Sequence, residues 1–256
     1  MTDSRMAVIT GASSGIGKAF AHKCASLNYN LLLVARNEQK LKSTADTLIK
    51  EYNVKCKIIA ADLSVDGDVD KLVKAVENDR AISILVNNAG FAIPQKLIQS
   101  DIEAQLEMVK VHIIAVVRLT HAVLRILIEK KSGSIINVAS TLAFASFPNN
   151  SIYCASKAFI NSFTKTLYYE YLNSGIVFQA LNPGLTKTNF HKTEAFKHIK
   201  MDSSDDKITM LPEDVVEYSF SKLGKQVIVV PGFLNRFIIK FEGLFTKILC
   251  GKTKAN

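Results

Sequence analysis

The sequence is short of the features that mark secreted, metal-bound and membrane-spanning chains. Its four cysteines (Cys24, Cys56, Cys154, Cys250) lie far apart, with no CxxC pair and no histidine cluster beside them. They read as reduced thiols of a cytoplasmic protein, not as disulfide staples or zinc ligands, and no metal is expected. No window holds 18 consecutive apolar residues, which argues against a transmembrane helix. The opening MTDSRMAVIT lacks the basic segment and apolar stretch of a secretory signal. Linkers rich in Pro, Gly or Ser are missing, as are internal repeats and low-complexity tracts, so residues 1–256 read as a single domain. The net charge is +9, yet no basic run reaches five residues. A solvated lysine-rich surface accounts for that pattern, and nucleic acid is not expected as a partner.

What is present is a regular alternation. The runs MAVIT, NLLLVA, KIIAA, ISILV, SIINVA, IVFQAL and QVIVV are short, apolar and rich in β-branched residues, and read as buried strands. Between them, helix-period segments cover about 15–27, 37–51, 66–79, 101–130, 152–174 and 212–223. Strand–helix alternation predicts the α/β class: a doubly wound parallel sheet of about seven strands, helices on both faces, crossovers right-handed. Two segments break the rhythm. Residues 185–211 form a long polar stretch that reads as a lid or insertion. Residues 233–249 place Leu234, Phe237, Ile238, Phe241, Leu244, Phe245, Ile248 and Leu249 at helical spacing, with Arg236, Lys240 and Lys247 on much of the opposite side.

The stretch TGASSGIG, Thr10 to Gly17, follows the first strand and opens the first helix. Gly11 permits a tight turn, while Gly15 and Gly17 let backbone approach a pyrophosphate and let the helix pack on the strand. The helix N-terminus then offers unpaired N–H groups and a positive dipole end to the anion, so a dinucleotide site of Rossmann type is expected here.

The spacing is TGxxxGxG, and with it the chain resembles the short-chain dehydrogenase/reductase family. NNAG (Asn87 to Gly90) follows the fourth strand and ADLS, with Asp62, follows the third; the resemblance runs from about residue 5 to 190. It implies cofactor contacts from Gly11, Ser13, Ser14, Gly15, Ile16 and Gly17. Further contacts would come from Asp62 and Leu63 at the adenine ring, and from Asn88, Ala89 and Gly90 on the adenine-ribose side. In NAD-dependent members of the family an acid ends the second strand, whereas this chain has Ala35 followed by Arg36. A carboxylate would repel a 2′-phosphate and a guanidinium binds one bidentately, so NADP(H) is the expected cofactor. Glu38 is a rival acid, but it falls in the first turn of the next helix, where negative charge is favoured anyway.

YCASK sets Tyr153 and Lys157 four residues apart, one helical turn, but YSFSK repeats the spacing at Tyr218 and Lys222. Context separates them. Ser140 ends a strand 13 residues before Tyr153, whereas Asp205, in a charged loop, stands 13 residues before Tyr218. Ser140, Tyr153 and Lys157 match the family's catalytic triad residue for residue. The Lys157 ammonium is expected to lower the Tyr153 pKa. In reduction Tyr153 would protonate a carbonyl oxygen that Ser140 also hydrogen-bonds. The resemblance adds a hold by Lys157 on the nicotinamide ribose, and nicotinamide contacts from Pro183 and Gly184 of the NPG turn, Thr188 and a second donor, Thr186. Many family members carry an asparagine, holding a water of the proton relay, where this chain has His112. Imidazole supports such a relay, and a packed helix residue without a role is the alternative.

Two functional readings follow: an NADP(H)-dependent reductase of an apolar ketone or aldehyde, and a cofactor-binding regulatory or scaffold protein with an impaired site. The intact Ser140, Tyr153 and Lys157 favour the first; His112 is the feature that favours the second. Phe144, Phe147 and Phe190 suggest an apolar pocket wall or core packing. The 233–249 segment suits core or subunit packing, or peripheral membrane contact. The resemblance implies a homodimer or homotetramer.

Overall fold

The apolar runs fold as parallel strands. The computed structural model describes residues 5–188 and 209–240. It contains β1 (Met6–Thr10), β2 (Asn30–Ala35), β3 (Cys56–Ala60), β4 (Ile82–Asn87), β5 (Gly133–Val138), β6 (Ile176–Leu181) and β7 (Ile228–Val229), in the order β3-β2-β1-β4-β5-β6-β7. Every neighbouring pair is parallel. The helices are α1 (Gly15–Ser26), α2 (Glu38–Tyr52), α3 (Asp66–Val76), α4 (Ile102–Val109), α5 (Ala115–Lys130), α6 (Ser151–Glu170), α7 (Pro212–Lys222) and α8 (Phe233–Lys240).

Successive side chains of a strand point to opposite faces, so a strand covered on both sides must be apolar throughout. In β1, Met6 and Val8 join the core beneath α3, α5 and α6, while Ala7 and Ile9 join the one beneath α1, α2 and α7. Phe20 of α1 and Leu119 of α5 are fully enclosed; each such burial stabilises by ~1.5–3 kcal/mol. Because β1 and β4 are neighbours, the chain runs one way from β1 and the other way from β4. The crevice at their C-terminal ends is where open α/β sheets bind ligands.

The structure departs from the sequence reading in three places. The helix expected over 101–130 is interrupted: α4 ends at Val109, a π-helical turn covers Lys110–Ile114, and α5 resumes at Ala115. By length and composition Ile102–Lys130 could cross a membrane, with mean hydropathy 1.9, but 61% of its most apolar window is buried within the fold. The last strand is only Ile228–Val229, pairing with Ala180 and Leu181. Of the 185–211 stretch, the two ends are joined: Lys187 N–H donates to Met210 O at 2.9 Å and Met210 N–H to Leu185 O at 3.0 Å. Its middle, with Phe190, and the part of 233–249 beyond Lys240 lie outside the described residues.

Candidate active site

The glycine loop is built on space that only glycine leaves. Gly11 (φ +68°) and Gly15 (φ +53°) take left-handed conformations, which glycine adopts without steric cost. A Cβ at Gly17 would stand 2.2 Å from the Gly11 carbonyl oxygen, and one at Gly11 2.6 Å from Asn88 Nδ2. Thr10 joins the loop to β4: its Oγ1 accepts from the Asn88 and Ala89 N–H groups, both at 3.0 Å, and donates to Val86 O at 3.4 Å. Asn88 Nδ2 donates to Thr10 O at 2.9 Å. α1 begins with Ser14 as a cap that makes no side-chain capping bond, and its first turn holds no acid. Its first N–H groups and positive dipole end therefore suit an anion. Thr188 is pressed against this loop, since a Cβ at Gly15 would lie 2.9 Å from its Cγ2. Ser13 and Ile16 are half-buried in the same turn. The cradle fits a dinucleotide pyrophosphate.

At the end of β2 the Arg36 guanidinium is mostly exposed and faces Asp62, Nη1 to Oδ2 3.8 Å. Asp62 is fixed from the other side, because its Oδ1 accepts from Ser64 N–H at 2.9 Å and from Ser64 Oγ at 2.7 Å. Leu63, the next residue, is buried in the core. Glu38 is the first residue of α2 and its first-turn acid. The guanidinium is thus the group that the end of β2 offers to an incoming ribose substituent.

Ser140, Tyr153 and Lys157 converge. Ser140 follows β5 and caps a short 3₁₀ turn (Thr141–Ala143), its Oγ accepting from Leu142 N–H at 3.1 Å. Tyr153 lies in the first turn of α6, buried and hydrogen-bonded to the Ser140 side chain. The Lys157 ammonium stands 5.6 Å from the centre of the Tyr153 ring and donates to Val138 O at 3.0 Å. The expected drop in the Tyr153 pKa is absent. Burial pushes the phenol up to about 12, against the smaller lowering effect of the Ser140 hydrogen bond. Burial also pushes Lys157 down to about 8. Both shifts have one physical cause, the cost of charge in a dry place. Tyr153 is therefore a protonated acid at neutral pH, the form that protonates a carbonyl. The other pair has the same local geometry, Lys222 Nζ lying 5.5 Å from the Tyr218 ring. There the phenol oxygen instead accepts from Arg236 at 2.9 Å. Local spacing does not distinguish the two; what surrounds them does.

Residues 5–198 match the short chain dehydrogenase family. The chain belongs to that family. A human relative, "Inactive hydroxysteroid dehydrogenase-like protein 1", is 34% identical over 196 residues, 76% of this chain and 59% of its own length. The "Very-long-chain 3-oxoacyl-CoA reductase" of Anas platyrhynchos is 33% identical over 190 residues, 73% of this chain and 61% of its own. The chain thus spans about three fifths of the length of these relatives. Among solved structures, a short-chain dehydrogenase from Sphingobium yanoikuyae in complex with NADPH superposes with TM-score 0.83 at 28% identity, covering 96% of this chain and 95% of that one.

His112 and Gly90, both singled out in the sequence, and Asn235, which no motif signalled, surround this short-chain dehydrogenase site. His112, in the π turn, is buried, and its Nε2 accepts from Phe91 N–H at 3.1 Å while its Nδ1 meets Ser156 Oγ at 2.9 Å. Burial, and secondarily the Lys157 charge, hold its pKa well below the ordinary histidine value. Gly90 makes room for it: a Cβ there would lie 2.7 Å from His112 Nε2 and 3.6 Å from Lys157 Nζ. Asn235 of α8 is buried over the NPG turn, where a Cβ on Gly184 would reach within 2.4 Å of its Oδ1. Pro183 O accepts from Thr141 N–H at 3.0 Å, tying that turn to the Ser140 loop. Thr186 is buried and its hydroxyl donates to Gly184 O at 3.0 Å, so that hydrogen serves the turn itself. Tyr153, Ala92 and Met108 pack together with Phe91, Leu142 and Ile152 as an apolar wall. Phe144 is half-buried and Phe147 exposed.

Proposed function

We propose that this chain reduces an apolar ketone or aldehyde with NADPH, and runs the reverse alcohol oxidation with NADP. The observation that carries the reading is the buried Ser140–Tyr153–Lys157 group with its apolar wall, at the sheet end that also holds the glycine cradle. Arg36 at the end of β2 supports the 2′-phosphate cofactor, as does the NADPH bound to the Sphingobium enzyme. Bound NADPH would supply the hydride. The chain's own residues do the rest. Tyr153 gives its phenolic proton to the carbonyl oxygen, Ser140 donates a hydrogen bond to the same oxygen, and Lys157 carries positive charge beneath the phenolate that forms. The substrate in the name of one relative, a very-long-chain 3-oxoacyl-CoA, carries a long apolar chain, which agrees with the partly buried Phe91, Leu142 and Ile152 beside Tyr153.

The second reading, a cofactor-binding scaffold, draws on the human relative named inactive. NADPH oxidation measured over ketosteroids, 3-oxoacyl thioesters and simple ketones separates the two. Turnover that falls at least a hundredfold in Tyr153→Phe with NADPH affinity retained supports the reductase. Equal or absent turnover in both proteins favours the scaffold. The proposal includes a cytoplasmic protein, and a homodimer or homotetramer for which the exposed Ile102, Leu106 and Ile114 along α4 and the π turn offer an apolar contact. Core or subunit packing of 233–249, with peripheral membrane contact as the alternative, belongs to it as well, supported by the buried Asn235 for the first and by the exposed Phe233, Leu234 and Phe237 for a subunit or membrane contact.

A further inference from the structure

His112 is a departure from its family's usual asparagine, and its surroundings fix what it does. Phe91 N–H is an obligate donor, so His112 Nε2 is the acceptor of their 3.1 Å bond. Ser156 Oγ donates to Tyr153 O at 2.8 Å, so it receives from His112 Nδ1 at 2.9 Å. The result is a one-way chain: Phe91 N–H to His112 Nε2, His112 Nδ1–H to Ser156 Oγ, Ser156 O–H to Tyr153 O. Both ring nitrogens are used, and neither is left to pass a proton to solvent. The ring also meets Tyr153 edge-on at 5.6 Å and Phe91 at 6.0 Å between centroids. It therefore touches the wall residue, the cofactor-side glycine and the turn of α6 that carries the phenol.

We propose that His112 is a positioning residue: a neutral imidazole that locks the 90–91 wall to the Tyr153 turn, in place of a proton relay. The π turn is the backbone counterpart. It carries His112, whose two ring nitrogens reach two elements, the loop after β4 and α6. Among the described residues, the titratable groups that meet the imidazole are Lys157 and Tyr153. A proton added to Nε2 would cost the Phe91 bond and set two cations side by side, so the neutral form is the one the clamp needs.

The test has two arms. In the wild-type chain, ¹⁵N chemical shifts of His112 should report the Nδ1–H tautomer, unchanged from pH 6 to 9. An Nε2–H tautomer, or titration near the ordinary histidine value, overturns the proposal. This arm needs neither substrate nor a variant. The second arm uses amide hydrogen exchange at Phe91 and steady-state kinetics, and its kinetic half rests on the reductase reading. His112→Phe removes both partners. Phe91 exchange should rise at least tenfold and kcat fall about tenfold, the scale of one buried hydrogen bond, with the NADPH Kd and the pH profile unmoved. His112→Gln returns an acceptor where Nε2 stood and should restore slow Phe91 exchange. His112→Asn returns a donor toward Ser156 and should not. If His112→Phe does not fold, Ser156→Ala cuts the other end with a smaller change, and should lower kcat while Phe91 stays protected. Unchanged Phe91 exchange in His112→Phe, or a pH profile that gains or loses a limb, overturns the clamp. A wild-type chain that reduces no carbonyl while showing the Nδ1–H tautomer and a protected Phe91 sinks the reductase and leaves the clamp standing.

Discussion

Lys157 holds an ammonium where charge is unwelcome. Its value of about 8 in the fold lies below the ordinary 10.5. Below about pH 8 both folded and unfolded chains carry the proton, and the fold bears the full burial cost. Between the two values the unfolded chain binds more protons, so stability rises with pH through that window. The shift corresponds to roughly 3 kcal/mol, against which the bond to Val138 O returns about 1 kcal/mol. Lys157→Met should therefore stabilise the chain by about 2 kcal/mol at pH 7 while abolishing turnover, and the gain should shrink by pH 10. Urea midpoints at the two pH values check this; a destabilised variant at pH 7 would refute it. The same residue scale shows what the sequence conceals. Ser140, Tyr153 and Lys157 were legible because a strand end and a helical turn fix their spacing. The sign of the Tyr153 shift was not, because burial outweighs its neighbours and burial is a property of the packed molecule. Ser156 sits inside the motif, yet only the folded chain brings it to His112.

Among the elements, the central strands were legible because short apolar runs, buried along their length, recur between longer helix-period segments. The π turn was not. Val111, Ala115, Leu119 and Ala122 keep an apolar stripe through the break and share one core, so the periodicity of 101–130 reads as continuous helix. The extra residue shows only against what it meets, the Phe91 loop and α6. α8 raises the same point. Its apolar spacing was visible, but its docking depends on Asn235 filling the space above Gly184. Asn235 Nδ2 donates to Pro231 O at 2.8 Å, and Arg236 reaches Val230 O at 3.1 Å. These bonds hold the helix to the sheet end beside the NPG turn. Gly184 is there for room, not for a left-handed backbone: its φ is not positive, while a Cβ would meet Asn235 at 2.4 Å. Gly184→Ala should cost about 1–3 kcal/mol through overpacking. Adding Asn235→Gly should recover part of that loss even though each change alone destabilises. Thermal melts of the four proteins form the cycle, and simple additivity would show that the two do not touch.

For the whole molecule, the order β3-β2-β1-β4-β5-β6-β7 determines where everything else acts. The switch between β1 and β4 opens the crevice, and the loops leaving β1, β2, β3, β4, β5 and β6 bring Gly11, Arg36, Asp62, Gly90, Ser140 and Gly184 to the same sheet end. That convergence was legible in outline, since every one of these residues follows a strand in sequence. A site assembled from six loops is also a clamp on the fold, because a cofactor bound there holds all six together and binds none of them in the unfolded chain. Binding at a hundred times Kd stabilises by about 2.7 kcal/mol, a rise in Tm of roughly 5–10 °C for a chain of this size. If the NADP reading holds, NADPH should give that rise and NADH at equal concentration a much smaller one, because NADH has no 2′-phosphate to meet the Arg36 guanidinium. Arg36→Asp should reverse the order, placing a carboxylate at the end of β2 where ribose hydroxyls can donate to it. Tyr153→Phe should keep the full NADPH shift, since the phenol serves the carbonyl and not the phosphates. Equal shifts from NADPH and NADH in the wild-type chain would remove the case for NADP, and a shift unchanged in Arg36→Asp would remove Arg36 from the site.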